Sequence, residues 1–248
     1  MIATNDAVRT VSAGTIDVET PDGVMALYEA RPDGRARGAV VVVQEAIGVD
    51  DHLKDVVRRF AAEAYHAVAP DLYHRLGGGT MPYDDRSRAK EMLKSLTDET
   101  MLVDVEVARE HHGSRWSDEK VGIVGFCMGG RVAFLAALRR PFGASVTFYG
   151  GGIITQRNPL WPPLVGEAAA LRAPWLGLFG DRDEVIPVED VERLREATRA
   201  ASVATEVVRY PDAGHGFHCD ERPDYHEPSA KDAWRRMLDW FGRHLGQS

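Results

Sequence analysis

Gly125-Phe126-Cys127-Met128-Gly129-Gly130 constrains this chain more than any other stretch. It follows the apolar run Val121-Gly122-Ile123-Val124 and precedes Arg131-Val132-Ala133-Phe134-Leu135-Ala136-Ala137, which reads as the start of a helix. A strand that passes into a helix through so tight a turn needs glycines, and it leaves the central side chain exposed at the carboxyl edge of a sheet. That side chain is the thiol of Cys127, a candidate nucleophile. The competing reading is a buried structural cysteine, since free cysteines are among the most buried residues.

The surrounding runs give the architecture. Thr10 to Thr20 and Val24 to Ala30 flank Pro21-Asp22-Gly23, which predicts an antiparallel hairpin. Ala39-Val40-Val41-Val42-Val43-Gln44 is β-branched without alternation, the mark of a parallel strand buried on both faces, and it belongs near the centre of the sheet. Leu53, Val56, Val57, Phe60 and Ala61 form one helical stripe, and His66 to Pro70 follows as a strand. Helices are expected over Asp84–Leu96 and Asp98–His112, then after the elbow strands at Ala144–Phe148, Trp175–Phe179 and Thr205–Tyr210. A helix from Val188 to about Ala200 and a last one opened by Ser229-Ala230-Lys231-Asp232, of capping-box form, complete the chain. Such alternation predicts an α/β fold: a mostly parallel central sheet with helices on both faces and an N-terminal antiparallel hairpin. Residues 76–83 and 151–170 are the least regular and read as loops near a site.

At 248 residues, one domain spanning 1–248 is the expectation. The net charge of −8 and the lack of basic runs argue against nucleic acid and anionic membrane as partners, leaving a small molecule. Met1-Ile2-Ala3-Thr4-Asn5-Asp6 has no basic segment leading into an apolar one, and no apolar window approaches about 18 residues, so a cytoplasmic protein is expected, as a monomer or small homo-oligomer. Two cysteines, Cys127 and Cys219, do not make a disulfide framework.

A thiol attacks as thiolate and needs a base or a cation beside it. Of nine histidines, His215 has the best setting, in Gly214-His215-Gly216-Phe217 after the last strand. For the orienting acid, Asp181, Asp183 and Glu184 compete on the loop that leaves Trp175–Phe179 at its carboxyl end. Asp183 is preferred because Gly180-x-x-Asp183-x-x-x-Pro187 has the spacing of this loop in α/β-hydrolases, where nucleophile, acid and histidine follow in that order. Asp181 is expected to brace the loop through backbone amides. Glu45 ends the central apolar strand, where a carboxylate is costly unless paired. The backbone N–H groups of Ala46 and Met128 occupy the oxyanion-hole positions of such a fold. Tyr149, Trp161 and Phe126 are candidate pocket-lining aromatics.

With these residues together, the chain resembles the dienelactone hydrolase family, the cysteine-dependent branch of the α/β-hydrolases. The resemblance rests on Gln44-Glu45-Ala46-Ile47-Gly48-Val49, Ala69-Pro70-Asp71-Leu72-Tyr73, Gly125–Gly130, Phe148-Tyr149-Gly150, the Asp183 loop and Gly214–Phe217, in family order over about residues 15 to 245. It implies a Cys127-His215-Asp183 triad, a Glu45 that interacts with the resting thiol, and hydrolysis of lactones or esters next to a carboxylate through a thioester, with no metal or organic cofactor.

The family's prototype holds the substrate carboxylate with two arginines. Arg86 is the nearest match to the first, but the second falls on Cys219, which has neither the charge nor the planar fork of arginine. Arg222 or His218 would have to take over. A general carboxylesterase for uncharged small esters is the alternative, and a catalytically degenerate ligand-binding member is the alternative of another class.

Overall fold

Two long strands lead the fold. β1 (Val11–Thr20) and β2 (Gly23–Pro32) pair antiparallel from Val11 against Pro32 to Thr20 against Gly23, turning at Pro21-Asp22. The computed structural model describes residues 10–246, with the side chains of Arg86 and Ser114 outside the description. The valine run becomes β3 (Gly38–Val43), buried at every position. Helix α1 (Asp51–Ala62) begins where the Asp50 carboxylate accepts the N–H of Leu53, and its apolar stripe packs on the sheet before β4 (Tyr65–Pro70).

The chain continues through α2 (Arg86–Lys94), α3 (Asp98–His111), β5 (Val121–Phe126), α4 (Met128–Arg139), β6 (Ala144–Phe148), β7 (Trp175–Gly180), α5 (Val188–Thr198), β8 (Thr205–Tyr210) and α6 (Glu227–His244). The last helix starts two residues before the expected Ser229. His226 is its N-cap and Pro228 sits in its first turn, with the Ser229 hydroxyl hydrogen-bonded to the His226 ring. The helix after the elbow starts three residues earlier than the expected Arg131, at Met128, and the remaining elements fall within two residues of the sequence reading.

The eight strands form one sheet in the order β1-β2-β4-β3-β5-β6-β7-β8. From β4 to β8 every pairing is parallel, and the hairpin joins antiparallel through β2 on β4. This is the α/β-hydrolase arrangement. The chain moves outward from β3 to β4, then crosses to the other side of β3 as β5. The switch point of the topology therefore lies between the carboxyl ends of β3 and β5, where open α/β sheets bind ligands. Glu45 follows β3 and Cys127 follows β5.

The elbow depends on contact between backbones. A Cβ on Gly125 would stand 1.8 Å from the Gly129 carbonyl oxygen. No rotamer relieves a clash with backbone, so Gly125→Ala should cost on the order of 3 kcal/mol or more. Urea denaturation checks this, and a loss below about 1 kcal/mol, the size of an ordinary point substitution, would contradict it.

The segment 151–170 is tied into the body rather than left as a site loop. Arg131, fully buried on α4, donates to the carbonyls of Gly152 and Pro162 and pairs with Asp98, while the Trp161 indole donates to the Leu96 carbonyl. Among the described residues no helix is long and apolar enough to cross a membrane.

Candidate active site

Cys127 sits between β5 and α4 at φ 53° and ψ −118°, a conformation L-residues rarely adopt outside functional turns. Its N–H donates to the Phe148 carbonyl at 3.1 Å, and its own carbonyl accepts from Gly130 N–H at 3.0 Å. The turn lifts Sγ into a cleft of about 410 Å³ at the carboxyl ends of the strands. Met128 is the first residue of α4, so its N–H has no acceptor within the helix. Ala46 also lines the cleft, and the Tyr73 hydroxyl donates to its carbonyl at 2.8 Å, holding the peptide that follows it.

His215 comes from the loop after β8, and its Nε2 lies 3.2 Å from Cys127 Sγ. Its Nδ1 lies 2.8 Å from Asp183 Oδ2. The other oxygen of Asp183 accepts the N–H groups of Val185 (2.7 Å) and Ile186 (3.0 Å), so the carboxylate is fixed before it meets the imidazole. Of the three acids on this loop only Asp183 reaches His215. Asp181 instead grips the Arg209 guanidinium through both oxygens at 2.7 Å, not the amides the sequence reading assigned to it, and Glu184 lines the cleft mouth.

Burial is the largest influence on the His215 ring and opposes its charge. The charge of Cys127 and the hydrogen bonds to Asp183 and Cys127 outweigh it and raise the pKa to about 10. The ring nitrogen stands 3.2 Å from the sulfur, within hydrogen-bonding reach of it.

Glu45 is buried just past β3, with its two oxygens already taken. Oε1 accepts from the Tyr149 hydroxyl at 3.0 Å, and Oε2 accepts from Arg222 Nη1 at 2.9 Å. The expected contact between Glu45 and the resting thiol is replaced by the thiol's bond to His215. Burial first, then the charge of Glu45, pushes the Tyr149 hydroxyl well above its ordinary pKa, so it remains a donor to the carboxylate.

Three expected pocket aromatics take other roles. Phe126 is core, packed on Phe148; Trp161 is core beneath Arg131; and the fully buried Tyr149 positions Glu45 instead of lining the cleft. The Arg86 side chain lies outside the described residues, although its backbone opens α2. His218 is buried against Phe126 and Phe148 and does not line the cleft.

Arg222 does reach the cleft. Successive turns, Cys219 N–H to the Gly216 carbonyl (3.0 Å) and Arg222 N–H to the Cys219 carbonyl (3.1 Å), fold this segment back over His215. Gly216 permits it: φ is 82°, and a Cβ there would stand 2.5 Å from Arg222 Nη1.

Tyr83, which the sequence reading did not single out, also lines the cleft. Its hydroxyl lies 2.6 Å from Asp50 Oδ2 and 3.1 Å from the Cys219 sulfur. Cys219 is fully buried behind Tyr83, and burial above all raises its pKa to about 12, which makes it an inert thiol and not a second nucleophile. Both cysteines are free.

A sequence profile of the "Dienelactone hydrolase family" matches residues 25–245. A protein of Salmonella typhimurium described as "Putative carboxymethylenebutenolidase" is 41% identical over 100% of this chain and 92% of its own length. The "Carboxymethylenebutenolidase" of Rhodococcus opacus is 29% identical over 87% of this chain and 85% of its own. The crystal structure titled "Putative Dienelactone Hydrolase" from Klebsiella pneumoniae superposes with a TM-score of 0.86 at 38% identity, covering 94% of this chain and 99% of that one. With a profile match over residues 25–245, relatives above 30% identity and the α/β-hydrolase sheet together, the chain belongs to the dienelactone hydrolase family of hydrolases.

Proposed function

We propose that the protein hydrolyses carboxylic esters or lactones that carry a nearby carboxylate, with Cys127 as nucleophile, His215 as proton carrier and Asp183 as its orienter. The hydrogen-bonded chain from Sγ through the imidazole to Asp183, at 3.2 and 2.8 Å, carries this reading. The thiolate adds to the carbonyl carbon, and the negative charge that forms on oxygen is met by the N–H groups of Ala46 and Met128. Collapse breaks the ester C–O bond, and the imidazolium at Nε2 gives its proton to the departing alkoxide. In a lactone that alkoxide stays tethered to the acyl group. Water then adds to the thioester, losing its proton to Nε2. The second collapse releases the acid and restores the thiolate and imidazolium.

Arg222 supports an acidic substrate. It stands in the cleft with its guanidinium on Glu45, and a substrate carboxylate placed there competes for the same planar fork. The guanidinium thus replaces the charge missing at Cys219. Charge-assisted bonds of this kind are worth about 1.5–3 kcal/mol. Arg222→Gln should therefore lower kcat/KM for an acidic enol-lactone by about 10- to 100-fold, while a neutral methyl-ester analogue changes by about threefold or less. Parallel kinetics on the two substrates check this. Equal losses on both would overturn the assignment of an acidic substrate and favour uncharged esters.

A further inference from the structure

At the amino end of β4, away from the cleft, three side chains from three different elements converge. Glu29 lies on β2, His66 on β4 and His111 at the end of α3. Glu29 Oε1 stands 2.7 Å from His66 Nε2 and 2.9 Å from His111 Nε2, and the three donor atoms all lie within 4.8 Å of one another. The group is sheltered, with side-chain exposures of 12%, 6% and 21%.

We propose that Glu29, His66 and His111 form a binding site for a divalent transition-metal ion of the zinc class, which clamps the leading hairpin, β4 and α3 together. Two imidazoles and one carboxylate are a ligand set for zinc and its first-row neighbours; magnesium and calcium take all-oxygen shells. Tetrahedral zinc with bonds near 2.1 Å sets its ligands about 3.4 Å apart. The Glu–His pairs, at 2.7 and 2.9 Å, need to open by about 0.5 to 0.7 Å to reach that spacing, a shift within the reach of rotamer adjustment. The fourth position is left for water.

His112 adds the outer contact that metal-binding histidines use. Ligation through Nε2 puts the His66 proton on Nδ1, and His112 Nδ1 is 3.2 Å away to accept it. His112 is itself buried and its ring packs edge-on against His66 at 4.5 Å between centroids, which fixes the ring that would hold the metal. Arg31 is the competitor. Its Nη2 donates to the same Glu29 oxygen at 2.8 Å, but its side chain is 44% exposed and can leave for solvent or move to Oε2. Nothing in the proposed hydrolysis uses these residues, so this site stands or falls on its own.

Binding of Co²⁺ or Zn²⁺ to the Cys127→Ala protein, measured by equilibrium dialysis, tests the proposal without thiolate ligands from the active site. The expected result is one equivalent of metal, a Co²⁺ spectrum without thiolate charge-transfer bands, and a metal-dependent rise in the thermal midpoint. Adding Glu29→Gln or His111→Ala should weaken binding by at least about 10-fold, and adding Arg31→Gln should tighten it. His111 stands at a helix end and is partly exposed, so its alanine variant retains the fold, which circular dichroism checks. No stoichiometric uptake, or equal affinity across all four proteins, overturns the site.

Discussion

Hydrolysis of a small activated ester should fall by on the order of 10⁴-fold or more in kcat when Cys127 is replaced by alanine. The elbow shows why nothing nearby can substitute. Among the described residues Cys127 has the one sulfur recorded within hydrogen-bonding distance of His215, the buried Cys219 is held by Tyr83 with its pKa raised to about 12, and the strained turn aims the side chain at position 127 into the cleft. Alanine fits the same backbone and leaves the sheet, the cleft and the N–H groups of Ala46 and Met128 in place. The protein should therefore remain folded, with any residual rate coming from binding and the amides. Steady-state kinetics on the purified variant, with a thermal melt as control, make the measurement. Turnover within about tenfold of wild type would remove Cys127 from the mechanism.

The next largest effect is expected at Asp183, from a change of one atom. In Asp183→Asn the amide oxygen stays on the N–H groups of Val185 and Ile186, where Oδ1 accepts now. The amide nitrogen then faces His215 Nδ1, a donor where an acceptor is needed. The ring must carry its proton on Nε2, pointing at Sγ, and cannot take another from the thiol or from water. The equivalent change in serine triads costs on the order of 10⁴-fold in kcat, and a loss of that order is expected here. Because Asp183 helps raise the His215 pKa to about 10, the variant should also titrate this histidine at lower pH, by NMR of the imidazole. A nearly unchanged rate, or an unchanged histidine titration, would show that Asp183 does not orient His215.

Much of this arrangement was legible before any coordinate. Runs of β-branched residues without alternation mark strands buried on both faces, so β3 and its neighbours stood out, and the glycines at 125, 129 and 130 marked a turn where backbone meets backbone. Cys127, Asp183, His215 and Glu45 each follow a strand at its carboxyl end, so element order alone brought them to one edge of the sheet.

What the sequence leaves open depends on paths through irregular chain. Arg222 and His218 stand as equal substitutes in the sequence, and only the two consecutive turns over 216–222, which bring Arg222 to Glu45, decide between them. Tyr83 belongs to a loop whose course is set by distant contacts, Met81 N–H to the Ile47 carbonyl among them. Trp161 and Phe126 show the opposite failure. An aromatic beside a loop or an elbow reads the same from sequence whether it faces a cleft or the core, and here the buried Arg131 and the neighbouring Phe148 draw both inward.

Acid quenching during turnover of a slowly deacylating ester, followed by mass spectrometry of the peptide that contains Cys127, tests the central claim most directly. A thioester on Cys127 is predicted: the peptide should gain the mass of the acyl group, and hydroxylamine should remove it. Turnover with no acyl group on Cys127, or with the acyl group on another residue, would contradict nucleophilic catalysis by this cysteine.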